Sequence, residues 1–277
     1  MSRNRQLSAG RGVYVVLALA VVVSVFPLYW TLVAASRTNT DIHSVPPILL
    51  PGGNLLHNVG QAFGQTDMGL AMLNSLIVSG TVTASVVLTS TFGGFAFAKL
   101  PFRGRRPLLA TVVATMMVPT QLGIIPLYIM MANWLHWADH LQALIVPAAA
   151  NAFGVFFMRQ YLIGALPDEL LDAGRMDGCT TRGLTWHIVL PAARPAMGVL
   201  GMLTFMATWN DFYWPKVVMT QQNPTIQLTL SELASGYIKD YSLVLTGALV
   251  ASLPVIAVFL LMGRQIIDGI MQGATKG

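Results

Sequence analysis

Residues 167–195 read PDELLDAGRMDGCTTRGLTWHIVLPAARP, the longest polar interruption in an otherwise apolar C-terminal half. The stretch holds four acids (Asp168, Glu169, Asp172, Asp177) and three bases (Arg175, Arg182, Arg194), with Arg159 on its upstream flank. Pro167 suits a first helical turn, where Asp168 and Glu169 meet the positive end of the helix dipole. Leu170, Leu171, Ala173 and Met176 predict an apolar stripe along that helix. Asp177-Gly178 predicts a stop, because glycine takes the left-handed conformation without a Cβ clash. Thr180 or Thr181 can cap a second short helix through Trp186, His187 and Val189. Leu190-Pro191 is expected to end it, since the residue before proline is pushed out of the helical region. The expected shape is helix, tight turn, helix: a compact hairpin projecting from a membrane.

The rest of the chain supplies the membrane. Its 277 residues are 55% hydrophobic and 10% charged, with a mean hydropathy of +0.64. Soluble domains carry about 25% charged residues, so this composition belongs in a bilayer. One cysteine, Cys179, excludes an intrachain disulfide and a multi-cysteine metal site, and it reads as a small apolar residue within the hairpin. Fifteen methionines suit adaptable packing in a protein that changes shape.

Six spans follow from the apolar runs. Val13 to Ala35 is uncharged for 23 residues, enough to cross a core of about 30 Å. That run is too long for a signal peptide, and no small-x-small cleavage site follows it. Leu70 to Ala98 is rich in Ser, Gly, Thr and Ala, which let helices approach closely where lipid offers no hydrophobic drive. Leu108 to Met131 is broken by Pro119 and Pro126, and Leu141 to Leu162 contains Pro147 and Asn151. Ala196 to Val218 and Ser242 to Met262 complete the set. Polar loops at 37–69 and 220–241 lie on one side, the first with a short helix expected at Asn58 to Gly64. Domain organisation is then 1–35, a basic lead and first span; 36–69, an external loop; and 70–277, a core with the polar hairpin at 164–195.

Six spans place both termini on one side. Only Arg37, Lys216 and Lys239 of the 16 Lys and Arg residues fall on the other. Positive charge marks the cytosolic side, so the hairpin and both termini are expected in the cytosol of a plasma-membrane protein. The same asymmetry accounts for the net charge of +5 without nucleic acid.

Energy-coupling and catalytic motifs are missing. No GxxxxGK[ST] phosphate loop exists; the nearest approach, GGFAFAKL (93–100), lacks the second glycine before its lysine. There is no H-E-x-x-H, Cys/His cluster or Ser/His/Asp set, so no enzyme is expected. His136 and His140 are four apart but have no further ligands, and an ordinary interfacial pair is the better reading. Ion coupling would leave ionisable groups inside spans, and only Asp211 in TWNDFYWP qualifies. Trp209, Asn210 and Asp211 suit a sugar path, because rings stack on apolar sugar faces and polar groups bond hydroxyls. An aromatic belt with a polar helix end explains them equally well. Asn151 joins them as a candidate path or gate residue. With a polar hairpin and no motor motif, energy must come from a second protein that grips the hairpin and rocks the bundle.

The hairpin resembles the EAA loop of ABC-importer permeases: E-A-A, three residues, G, nine residues, then I-x-L-P. Here those positions hold Asp172-Ala173-Gly174, Asp177-Gly178, Ile188 and Leu190-Pro191. Asp172 stands where Glu is usual, and Gly174 where Ala is usual, which should weaken the helix by about 1 kcal/mol. The C-terminal LPVIAVFLLMGRQIIDGIMQGATKG is similar to carbohydrate permeases of the maltose-permease type, second (MalG-like) member.

The resemblance implies an all-α type I importer permease (MetI-like) fold with six transmembrane helices. It implies ATPase coupling through Asp172, Ala173, Gly174, Asp177, Gly178, Leu190 and Pro191, and an ATPase contact at Gln272, Gly273 and Lys276. Gln221, Gln222, Asn223 and Pro224 would meet a sugar-binding protein. The implied partners are a different second permease, an ATPase dimer and an extracytoplasmic sugar-binding protein. ATP and Mg would be used by the ATPase, with no cofactor on this chain. The stretch QNPTIQLTLSELASGYIKDYSLVLTG (222–247) looks most like permeases for β-linked disaccharides. A self-sufficient secondary carrier is the alternative, disfavoured by the scarcity of intramembrane charge.

Overall fold

The computed structural model of the chain describes residues 10–235 and 239–274. The described residues form helices and connecting turns. In chain order the α-helices are α1 (Arg11–Ala35), α2 (Asn39–Ile42), α3 (Leu55–Gln65), α4 (Met68–Lys99), α5 (Arg105–Thr115), α6 (Ile124–Ile129) and α7 (Gln142–Ala148). They continue as α8 (Ala152–Ala165), α9 (Asp168–Met176), α10 (Thr181–Leu184), α11 (Leu190–Trp209), α12 (Tyr213–Val218), α13 (Ile226–Leu233) and α14 (Tyr241–Ala274). Among the described residues four helices are long and apolar enough to cross a membrane, or up to six if each of two bent pairs is one span.

Two compact units are present, one of residues up to 66 with 230–252 and one of 67–229 with 253 onward. In the first, α1 is apolar all round, and its side chains from Val13 to Tyr29 are exposed, as suits a lipid-facing span. Its last turn is different: Val33, Ala34 and Ala35 are buried. Asn58 Nδ2 donates to the carbonyls of Ala35 (2.8 Å) and Arg37 (2.9 Å), and Thr246 Oγ1 donates to Ala35 O at 3.2 Å. These bonds occupy carbonyls that a helix end leaves without partners. The guanidinium of Arg37 donates to Leu50 O from Nε and Nη2, so the 37–54 loop is held close to the helix end. The helix expected near Asn58 exists and runs Leu55–Gln65.

In the second unit, α4 packs on α8 and α11. The backbones come close because small residues face each other. A Cβ on Gly94 would stand 2.8 Å from Arg159 N, and one on Gly154 would collide with Ser90 Oγ. Val78, Val82, Val86, Met158, Leu162, Val189 and Leu200 fill the core around this contact. At the C-terminal end of α4, Arg105 donates to Phe97 O (2.9 Å) and Ala98 O (2.8 Å), and Arg159 to Phe97 O (3.3 Å). Basic groups there complement the negative end of the helix.

Three expected spans have different shapes from those the sequence suggested. The third is broken: Arg105–Thr115 and Thr120–Trp134 meet at 88°. Pro119 stands extended (ψ 125°) before a 3-10 turn at Thr120–Gly123, which turns the chain. The fourth bends by 40° between Gln142–Ala148 and Ala152–Ala165, and Asn151 Oδ1 restarts the helix by accepting from Gly154 N.

The fifth begins fifteen residues earlier than expected and stops nine earlier, as one helix over Thr181–Trp209. Leu190-Pro191 does not end a helix. The preceding turn, Thr185–Val189, is π-helical. That wide turn loosens the i−4 ladder where Pro191 has no N–H to offer.

The glycine contact yields a paired prediction. Gly94→Val places side-chain carbon against immovable backbone, so the folded bundle should lose about 1–3 kcal/mol. Gly80→Val, on the same helix with nothing within 4 Å, should lose much less. Thermal unfolding midpoints of the two variants in detergent check this.

Candidate functional site

The polar hairpin begins at Pro167, the N-cap of α9, with Asp168 and Glu169 in the first turn. Lys99 Nζ pairs with Asp168 Oδ1 at 2.7 Å. The hydrogen bond from Lys99, with its charge, holds the Asp168 carboxyl below its ordinary value. Any stabilisation from this pair is present above the ordinary carboxylate range and lost as pH falls through the lowered value. Asp172 pairs with Arg175 at 2.7 Å, both exposed. Such a surface pair contributes about 0–1 kcal/mol, so another partner can exchange it readily.

The turn follows the sequence reading closely. Gly178 has φ +82°. Gly178 N donates to Arg175 O (3.0 Å) and Cys179 N to Gly174 O (2.9 Å), the bond pattern of a glycine-terminated helix. Thr180 Oγ1 then caps α10 by accepting from Gly183 N at 3.2 Å.

The apolar stripe is placed differently. Leu171 and Gly174 are buried, while Leu170, Ala173 and Met176 are exposed. Gly174 sits where the two arms touch: a Cβ would lie 2.6 Å from Leu184 Cδ2 and 3.0 Å from Ile188 Cδ1. The missing methyl thus gives the arms their close contact, against the local cost in helix propensity. Leu170, Ala173, Met176 and the exposed Trp186 leave apolar surface on the hairpin, next to Asp172. Leu190 is half-buried and Pro191 exposed, both within the continuous helix.

At the other end of that helix lies a cavity of about 500 Å³. Ser75 and Ser79 reach it from α4, Thr120 and Gln121 from the 3-10 turn, and Asn151 from the bend between α7 and α8. Thr208, Asp211, Tyr213, Trp214 and Thr225 also line it. Asp211 Oδ1 accepts from Tyr213 N (3.1 Å) and Trp214 N (3.4 Å) and so starts α12. Trp214 Nε1 donates to Ala143 O at 2.9 Å.

Of the sequence candidates, Asn151 and Asp211 meet here. Trp209 does not line the cavity: it is 2% exposed and stacks on Phe205 at 5.7 Å. Asn210 caps the helix end, donating from Nδ2 to Met206 O at 2.8 Å. Sequence reading missed Ser79 and Thr225, whose hydroxyls are buried with no hydrogen-bond partner. Spacing could have found one of them, since Ser75 and Ser79 share a helix face at i, i+4.

The 221–224 loop is anchored on Asp139. Thr220 N donates to Asp139 Oδ1 (2.8 Å) and Asn223 Nδ2 to Asp139 O (3.0 Å). Pro224 is buried, and its carbonyl accepts from Asn74 Nδ2 at 3.0 Å. Gln221 and Gln222 are exposed. Asn223 and Pro224 therefore hold the loop, and the two glutamines form its outer surface. Gln272 and Gly273 belong to the last turns of α14, and Lys276 lies outside the described residues. Among the described residues no group of three or more His, Cys, Asp or Glu could hold a metal ion, and His140 Nδ1 is 2.8 Å from Ala138 O.

Residues 89–266 match the family described as binding-protein-dependent transport system inner membrane component, and the chain belongs to it. It is 32% identical over 264 residues to the lactose transport system permease protein LacG of Rhizobium radiobacter, covering 95% of each chain. It is 36% identical over 205 residues to the arabinooligosaccharides transport system permease protein AraQ of Bacillus subtilis (strain 168), covering 74% of this chain and 72% of that one. It is 30% identical over 269 residues to the sn-glycerol-3-phosphate transport system permease protein UgpE of Yersinia enterocolitica, covering 93% and 94%. A chain from the crystal structure of a bacterial ABC transporter involved in the import of the acidic polysaccharide alginate shares the fold. Its TM-score is 0.78 at 18% identity, covering 94% of this chain and 99% of that one. Members of this family are non-catalytic transport components.

The Asp139 anchor generates a prediction. Asp139→Ala removes the acceptor for Thr220 N, a hydrogen bond to a charged group worth about 1.5 kcal/mol or more. Amide exchange at Thr220 should quicken about tenfold or more, measured by hydrogen–deuterium exchange.

Proposed function

We propose that this chain is a permease subunit of an ATP-driven, binding-protein-dependent sugar importer, of the MalG-like type, levered by a separate ATPase at its polar hairpin. The observation that carries the reading is the continuous helix Thr181–Trp209. Its 29 residues make a rod of roughly 43 Å at 1.5 Å per residue. One end packs against α9 within the hairpin. The other brings Thr208 to the polar cavity. Force on the hairpin is thereby force on the cavity wall.

In this reading the hairpin, the basic turn before α5 and both termini face the cytosol, as the distribution of Lys and Arg requires. Asp172 leaves Arg175 for a base on the ATPase, and Leu170, Ala173 and Met176 fill an apolar groove on it. Gly178, Leu190 and Pro191 keep the hairpin's shape. Gln272, Gly273 and Lys276 approach the ATPase dimer, which alone uses ATP and Mg. Gln221 and Gln222 meet the sugar-binding protein on the opposite side, and a second, different permease completes the path. Relatives named for lactose and arabinooligosaccharides support a sugar, and the 222–247 stretch favours a β-linked disaccharide.

Two substitutions test the lever. Gly178→Val forces a β-branched residue into a left-handed turn, at a cost of about 1–2 kcal/mol. Sugar uptake into vesicles holding the whole complex should be abolished while the chain stays inserted and assembled; normal uptake would sink the lever. Asp172→Lys should leave ATP hydrolysis running but uncoupled from uptake. A normal ratio of hydrolysis to uptake in that variant would remove the docking role.

A further inference from the structure

The solutes named for the relatives differ in charge: lactose is neutral and sn-glycerol-3-phosphate is an anion. The cavity chooses between these chemistries. Among the described residues no Lys, Arg or His lines it, and its carboxylate is Asp211. A phosphate or uronate held here would lie beside that carboxylate with no cation from this chain to meet it. Burying such a charge unpaired is strongly unfavourable.

The remaining lining suits a neutral polyol. Ser79 is 1% exposed and Thr225 5% exposed, and neither hydroxyl has a hydrogen-bond partner. Buried polar groups are ordinarily satisfied, so two lining residues with orphan hydroxyls point to a ligand that supplies the missing bonds. Asn151 spends its oxygen on Gly154 N, which leaves its NH₂ as a donor. Trp214 offers an aromatic ring of the kind on which apolar sugar faces stack. A cation is not required either, since Asp211 Oδ1 already accepts two backbone N–H groups.

We propose that this cavity admits an uncharged, hydroxyl-rich solute and excludes anionic ones, with Asp211 as the charge filter and Ser79 and Thr225 as the first hydroxyl contacts. The proposal rests on the importer reading and narrows its substrate class.

The test uses the assembled complex in lipid nanodiscs, with Cys179→Ala removing the native thiol. Thr208→Cys then places a single thiol on the cavity wall, and Gln222→Cys, on the exposed loop, provides the reference. Each is reacted with a cationic and an anionic methanethiosulfonate reagent of similar size. At Thr208→Cys the cationic-to-anionic rate ratio should exceed the reference ratio by about tenfold, the order expected for one nearby charge at partial screening. Asp211→Asn should bring the ratio back to the reference. Equal ratios at the two thiols, or a raised ratio that survives Asp211→Asn, would overturn the charge filter.

A second arm reads the hydroxyl contacts through uptake of cellobiose and its carboxylate counterpart cellobionate. Neutral uptake should exceed anionic uptake in the native complex, and Ser79→Ala with Thr225→Val should raise the KM for the neutral sugar several-fold. Equal uptake of both sugars, or an unchanged KM, would overturn the proposal while leaving the importer reading intact. A complex that moves neither sugar, nor any other neutral oligosaccharide, under ATP would overturn both.

Discussion

A helix with prolines at 191 and 195 should not be a rod, and the rest of the structure depends on its being one. Proline removes a ladder bond, and its ring crowds the carbonyl four residues earlier. The π turn at Thr185–Val189 widens the backbone just ahead of Pro191. Buried Leu184 and Val189 hold that turn in the core. The second arm of the hairpin is therefore the first part of a span, and no hinge of irregular backbone separates the two. One continuous helix therefore joins the hairpin to Thr208.

Close packing keeps the rod in place. Lipid tails are as apolar as leucine, so helices in a membrane gain little from burying oil and must gain from contact. Glycine supplies that contact at three points: Gly94 and Gly154 where α4 meets α8, and Gly174 where the arms of the hairpin meet. The same small-residue surface that closes α4 against α8 near Ser90 opens toward the cavity near Ser79. One helix thus serves as both a packing strip and a cavity wall. Arg105 and Arg159 hold the carbonyls at its far end, so these charges finish a helix.

Much of this was legible before any coordinates. Local chemistry foretold the left-handed Gly178, a threonine cap ahead of the second arm and the existence of each apolar run. All of these are properties of a few consecutive residues. The reading failed where side-chain packing decides. Trp209 looked like a path residue because it stands beside Asp211, yet a helix turns about 100° per residue, and Phe205 takes its ring into the core. Ser79 looked like one small residue among many, and its solitary hydroxyl is visible only once the cavity it lines is in place. Gly174 looked like a weakness until Leu184 and Ile188 were seen to fill the space where its methyl would be.

The order of residues alone determined that this chain lives in a bilayer and that it carries an exposed polar hairpin. Those conclusions need only counts, runs and short spacings, because the bilayer punishes charge and rewards length locally. The tertiary structure decided which prolines break a helix and which are carried through it, and which polar side chains converge on one cavity. Both depend on what fills the space around a backbone group, and that is settled by residues far away in the chain.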